Sequence, residues 1–147
     1  MKISDIMTVN NISVAIKANS KRQLLQELAE KAAEITGITE RTIFDIVLER
    51  ENLGSTGFGG GTALPHGRLT DIDKVYGFFA RLSTPVDFEA IDGKPVDLIF
   101  LLLSPEGSGA DHLTALAQVS RILKDEATCE KLRQAETREQ IYALLNN

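Results

Sequence analysis

Cysteine, proline, positive charge and long apolar runs are all scarce in this 147-residue chain, and each scarcity excludes something. A lone Cys129 cannot close an internal disulfide, and no apolar signal segment precedes the first polar residues, so a reducing cytoplasm is the expected compartment. None is needed for folding, because a chain of this length buries about 68 to 70% of its extended surface without a bridge or a structural metal. The longest unbroken apolar run, Leu98 to Leu103, falls far short of the ~20 residues of a spanning helix, so no membrane insertion is expected. Sixteen Lys and Arg against twenty-one Asp and Glu leave a net charge of −5. That sign opposes general attraction to a phosphate backbone, and no nucleic-acid partner is expected. The four prolines are scattered and no segment is biased or repeated, so nothing marks a linker. The composition, 43% hydrophobic and 25% charged, is that of one ordinary globular domain spanning residues 1–147.

What is present is a chain of strand and helix signals in alternation. Ile12, Val14 and Ile16 alternate with small or polar residues as in a strand with one buried face. Ser20 and Gln23 have capping-box spacing ahead of Leu24, Leu25, Leu28, Ala32 and Ile35, which recur at helical spacing until Gly37. Thr39 caps a second predicted helix, with Ile43, Phe44, Val47 and Leu48 carrying it to about Glu51. From Gly54 to Gly67 periodicity vanishes into a glycine-rich loop or strained strand. Val75 to Leu82 and Val96 to Leu103 read as strands, the second apolar almost throughout and therefore central. Ser108 and Asp111 have capping-box spacing before a helix carrying Leu113, Leu116, Ala117, Ser120 and Leu123. Two shorter helices follow, the last opened by Thr137 and Gln140. The expected fold class is α/β: a single layered domain with a mixed central sheet flanked by helices.

Three residues stand out chemically. His66 closes the stretch Gly-Phe-Gly-Gly-Gly-Thr-Ala-Leu-Pro-His-Gly, on a backbone stiffened by Pro65 and cleared by glycine on both sides. A neutral imidazole held at one ring nitrogen is a competent nucleophile near pH 7, although a histidine that only decorates a tight turn fits the spacing equally. His112 lies in the first turn of a helix, where free N–H groups favour an anion. It also shares a helical stripe with Leu116, Val119 and Leu123, as a hydrogen-bonded histidine at the core's edge would. Arg50 falls on the face of Ile43 and Val47, where it either holds an anion bidentately or pairs with Glu49 or Glu51.

Rival chemistries lack their residues. No lysine follows the glycines as a P-loop requires, and Thr62 stands where the dinucleotide fingerprint needs glycine. Two histidines forty-six residues apart offer no zinc-ligand spacing, so no metal is expected. Cys129 sits in a helical stretch without a nearby base, and Ser108 is not in a nucleophile elbow.

Residues 48 to 67, Leu-Glu-Arg-Glu-Asn-Leu-Gly-Ser-Thr-Gly-Phe-Gly-Gly-Gly-Thr-Ala-Leu-Pro-His-Gly, resemble the enzyme IIA components of the bacterial phosphoenolpyruvate-dependent phosphotransferase system, fructose/mannitol type. The resemblance continues through Asp87-Phe88, Ile-Asp-Gly-Lys-Pro-Val-Asp-Leu at 91 to 98, and Gly-Ala-Asp-His-Leu at 109 to 113. It is greatest to the nitrogen-related, regulatory branch. Gly60 departs from the asparagine common in the family, which predicts a looser loop. The resemblance implies that His66 accepts a phosphoryl group on Nε2 from an HPr-like carrier, that His112 is the second active-site histidine, and that Arg50 steadies the phosphate. It implies no cofactor, and downstream targets among sensor kinases and potassium-transport regulators. The alternative is a transport component passing phosphate to a separate IIB chain for fructose or mannitol. For a visiting carrier, Phe58 and Leu64 are the expected apolar contacts.

Overall fold

The apolar run near residue 100 becomes the strand on which the rest is hung. The computed structural model describes all of residues 1–147. Two 3-10 turns, Ile3–Asp5 and Val9–Asn11, lead into β1 (Ile12–Ile16), α1 (Lys21–Thr36) and α2 (Glu40–Leu53). The glycine-rich stretch follows as β2 (Gly57–Gly59), β3 (Thr62–Ala63) and β4 (His66–Leu69). Then come β5 (Tyr76–Val86), β6 (Val96–Pro105), α3 (Gly109–Lys124), α4 (Glu126–Gln134) and α5 (Arg138–Leu145). The strands form one mixed sheet in the order β1-β5-β6-β3-β2, with β4 also on β6. β1 is parallel to β5, and β3 and β4 to β6, whereas β5 is antiparallel to β6. No helix is long and apolar enough to cross a membrane.

The helix starts follow from side-chain oxygens placed against orphan amides. Ser20 Oγ accepts from Gln23 N at 3.1 Å, while Gln23 Oε1 reaches back to Asn19 N at 2.7 Å, one residue earlier than the pattern predicts. Thr137 and Gln140 make both halves of their box. Ser108 does not cap α3: its hydroxyl donates to Pro105 O at 2.6 Å across the preceding turn. α2 continues to Leu53, two residues beyond the predicted stop.

The stretch read as a loop or strained strand holds three short strands. Gly59, Gly60 and Gly61 all take positive φ (107°, 69° and 81°), a conformation costly for residues with a Cβ, and so turn β2 back onto β3. β3 and β4 then behave as one interrupted strand. Thr62 and Ala63 pair with Leu98 and Ile99, and His66 and Gly67 with Leu102 and Leu103, in one unbroken register. The break lies at Pro65, which has no N–H to give to β6 although its carbonyl accepts from Leu102 N at 3.0 Å; Leu64 N, on the opposite edge, donates to Thr56 O at 3.1 Å. Gly60 is also tied at both ends, its N–H donating to Asp92 Oδ2 at 2.9 Å and its carbonyl accepting from Arg133 Nη2 at 2.8 Å. This turn is pinned where a looser one is predicted.

β6 serves both faces of the sheet. Its odd positions, Ile99, Leu101 and Leu103, pack into a cluster with Leu24, Leu28, Ile43 and Val47 of α1 and α2. Its even positions, Leu98, Phe100 and Leu102, pack with Val119, Leu123, Leu132 and Ile141 of α3 to α5. Two predicted core positions lie outside: Ile35 is 38% exposed and Leu113 is 64% exposed. Arg81 locks the second layer to the sheet. Its Nη1 donates to Leu132 O, Arg133 O and Ala135 O at 2.8, 3.2 and 2.5 Å, and its Nε to Val14 O at 3.1 Å. It thereby satisfies the end carbonyls of α4, whose C-terminus would otherwise lack partners.

Candidate functional site

Alternation along two paired strands builds the site. Residues directly opposite one another in a ladder share a face. His66 is opposite Leu102 and Arg68 opposite Ser104, so both project toward α3, while Gly67, opposite Leu103, faces α2. A side chain at Gly67 has no room, since a Cβ there would lie 2.6 Å from Ile46 Cγ2. The missing Cβ lets β4 and α2 pack closely enough to bring the last turn of α2, with Arg50, beside His66.

His66, His112 and Arg50 line one open cleft of about 320 Å3, together with Ile46, Glu49, Leu53, Gly67 and Arg68. The two imidazole centroids are 5.7 Å apart and their planes tilted by 54°. His66 is half-buried, and its Nδ1 lies 2.9 Å from Leu64 O. A carbonyl only accepts, so Nδ1 carries the proton and Nε2, which has no partner in the protein, keeps the lone pair. Burial lowers the His66 pKa below the usual imidazole value. The bond to Leu64 opposes this, Arg50 adds to it, Glu51 opposes it and Arg68 adds to it. The net result is a neutral ring at neutral pH.

His112 is buried, with Nδ1 at 2.6 Å from Ser104 Oγ. Its pKa is pushed down to about 4, first by burial and then by Arg68 and His66. The core reading and the anion-site reading of His112 thus describe one residue: the ring is enclosed like its stripe-mates Val119 and Leu123, yet its edge reaches the cleft. Arg50 is in no ion pair with Glu49 or Glu51. Its Nη1 donates to Gly54 O at 2.9 Å across the end of α2, leaving the rest of the guanidinium facing the cleft. No carboxylate or thiol joins the two histidines into a three-ligand metal cluster.

Two further residues, Arg68 and Leu53, belong to the site and escape the sequence reading. Arg68 is discoverable, because the period of two that orients His66 orients it as well. Leu53 is 82% exposed on the cleft wall, and with Ile46 it supplies the apolar rim expected of Phe58 and Leu64. Leu64 is itself buried in the α3 to α5 cluster, and Phe58 packs against that cluster beneath Lys124 Nζ, 5.3 Å from its ring. An uncommitted imidazole nitrogen, two guanidinium groups and a buried neutral imidazole around one open space suit the transfer of a small dianionic group with no metal among the protein's own ligands.

The family model for the phosphoenolpyruvate-dependent sugar phosphotransferase system, EIIA 2, matches residues 5–147. A nitrogen regulatory protein of Bradyrhizobium diazoefficiens is 53% identical over 145 residues, covering 99% of this chain and 95% of the relative. The crystal structure of nitrogen regulatory protein IIA-Ntr from Neisseria meningitidis superposes with a TM-score of 0.93 at 34% identity, over 97% of this chain and 98% of that one. The mannitol IIA of Escherichia coli shares the fold, with a TM-score of 0.79 at 22% identity, over 95% of this chain and 98% of its own.

Proposed function

Because the chain belongs to the EIIA type-2 family of the phosphoenolpyruvate-dependent sugar phosphotransferase system, and is thus a phosphocarrier component of it, we propose that His66 is the group that carries the phosphate. The observation that supports this most directly is the His66 Nδ1 bond to Leu64 O, which leaves Nε2 free in the cleft. In the transfer, the Nε2 lone pair forms a new P–N bond as the P–N bond of an HPr-like phosphohistidine breaks. The donor ring recovers its electron pair, and the proton on His66 Nδ1 stays where it is. Arg50, Arg68 and the His112 edge receive the charge spread over the phosphoryl oxygens in flight. With Ser104 donating its hydroxyl hydrogen to His112 Nδ1, His112 Nε2–H points its own hydrogen at that charge.

The pH profile follows from the sign of the shift. Protonating Nε2 destroys the nucleophile, and the folded-state pKa lies below the ordinary 6.5. Acceptance of phosphate therefore persists as pH falls through 6.5 and is lost only below it. A single-turnover profile with its acidic limb at or above the free-imidazole value contradicts this account of the site.

The added charge of about −1.5 to −2 that a phosphoamino acid carries near neutral pH changes what can dock on the rim at Leu53. We take the output to be regulatory: the phosphorylation state selects which proteins the surface binds, sensor kinases and potassium-transport regulators being the classes in view. The similarity to nitrogen regulatory proteins over almost the whole chain favours this over sugar transport. Capture from a lysate with phosphorylated and unphosphorylated protein decides the matter. Recovery of a kinase or channel regulator by one state only is the expected result, and recovery of a IIB chain alone overturns it.

A further inference from the structure

Glu51 is the only buried carboxylate in the protein, 4% exposed at the end of α2, one residue after Arg50. Enclosing a carboxylate is costly, and its ion pair rarely repays the loss of water by more than an apolar replacement would. Its contacts show what the charge is attached to. Oε1 lies 3.0 Å from Lys21 Nζ at the start of α1, and accepts from Thr56 N at 3.1 Å, while the Thr56 hydroxyl donates to Oε2. From Thr56 the connection continues through the backbone of two residues. The Thr56 carbonyl accepts from Leu64 N at 3.1 Å, and the Leu64 carbonyl is the one that receives His66 Nδ1–H at 2.9 Å.

Resting on the reading of His66 as the phosphoryl acceptor, we propose that Glu51 is a positioning residue for that ring. It anchors the Thr56 end of a hydrogen-bonded line that fixes the imidazole as its Nδ1–H tautomer, with Nε2 presented to the donor. Two features of the fold support this. The Leu64 backbone faces away from β6, whose Leu102 N donates to Pro65 O instead, so the Leu64 N–H serves Thr56 O and the Leu64 carbonyl serves His66 Nδ1–H. The charge itself has a use, because a ring bonded to phosphorus at Nε2 while still protonated at Nδ1 gains positive character. A fixed carboxylate behind the carbonyl favours that state over the free imidazole. The other charged or titratable groups around His66 are Glu49 and Arg50 from α2, Arg68 from β4 and His112 from α3. The two arginines oppose positive charge on the ring, and Glu51 favours it.

The test uses two substitutions whose effects have opposite signs. Glu51→Gln keeps the shape and an accepting oxygen but removes the charge. Lys21→Met removes the cation that offsets Glu51 and leaves the carboxylate in place. Proton–nitrogen correlation spectra of the two histidines report the tautomer and pKa of each ring directly. In Glu51→Gln the His66 pKa falls and the Nδ1–H signature gives way to a mixture of tautomers. In Lys21→Met the His66 pKa rises and the tautomer is retained. His112, whose burial and neighbours do not include Glu51, keeps its titration in both and serves as the internal standard of an intact fold. The rate of phosphoryl acceptance falls roughly tenfold in Glu51→Gln, short of the ~100-fold that a 1 Å misplacement of a reacting group can cost. Unchanged His66 spectra in Glu51→Gln, or shifts of one sign in both variants, overturn the proposal and return Glu51 to a purely structural role. Should Glu51→Gln fail to fold, the Lys21→Met shift decides alone: an upward move supports the proposal and no move rejects it. The spectra are read without phosphate, so a parent protein that accepts none overturns the role of His66 and not the hydrogen-bonded line.

Discussion

His66→Ala takes up no phosphoryl group from phosphoenolpyruvate and the two upstream carriers, under conditions where the parent chain gains one acid-labile group per molecule. The loss is complete rather than partial because the protein offers no substitute. Its only other imidazole is His112, buried with Nδ1 committed to Ser104, and its only thiol, Cys129, is buried with a pKa that burial raises. Thiolate chemistry at that position is suppressed, and no second nitrogen stands free in the cleft. Intact-mass measurement after a short incubation reads the result, with the far-ultraviolet spectrum confirming the fold. Label on the alanine variant at the parent rate assigns the acceptor to another side chain and removes the basis of the proposed mechanism.

Arg81→Ala lowers the stability of the protein by about 3 kcal/mol. The guanidinium of Arg81 meets four backbone carbonyls, three of them at the end of α4. A hydrogen bond from a charged donor contributes about 1.5 to 3 kcal/mol, and each enclosed carbonyl left bare costs about 1 to 3 kcal/mol, with water recovering part of the sum at this half-buried position. At roughly 2 to 4 °C per kcal/mol for a chain of this size, the melting midpoint drops by about 6 to 12 °C. Arg81→Lys restores a single donor in place of the fork and falls between. A melting curve for Arg81→Ala within a degree of the parent shows that the α4 carbonyls are served as well by water.

Much of this arrangement is written locally and some of it is not. Ser20, Thr39 and Thr137 announce their helices because an N-cap needs only a hydroxyl and an amide three residues away. Ser108 has the same spacing and does not cap, because Pro105 offers its hydroxyl a nearer carbonyl. β6 is legible as a central strand from the unbroken apolar run Leu98 to Leu103. β2, β3 and β4 are not, because strands of two to four residues, three of whose nine positions are glycine, leave no alternation to detect. His66, His112 and Arg50 attract attention through unusual backbone or unusual placement, and the structure brings all three to one cleft. Arg68 and Glu51 look like ordinary surface charges in the sequence. Only the pairing of β4 with β6 gives the first its face, and only the return of the chain at Thr56 encloses the second. Phe58 and Leu64 show the reverse error: closeness to His66 along the chain does not bring an apolar residue to its open side, and Leu64, on the same face as His66, is covered by the α3 to α5 cluster.

The division of β6 between two clusters has a consequence for how the protein comes apart. Neither layer of helices owns the strand it needs, since each rests on alternate side chains of the same ten residues. Detaching α1 and α2 exposes one edge-to-edge row of leucine and isoleucine, and detaching α3 to α5 exposes the other, so neither half keeps a dry interior once its neighbour has gone. Cooperativity is therefore built in at the level of a single strand: the amides of β6 exchange with solvent only when the whole molecule opens, and the cleft that joins α2, β4 and α3 is lost in that same event.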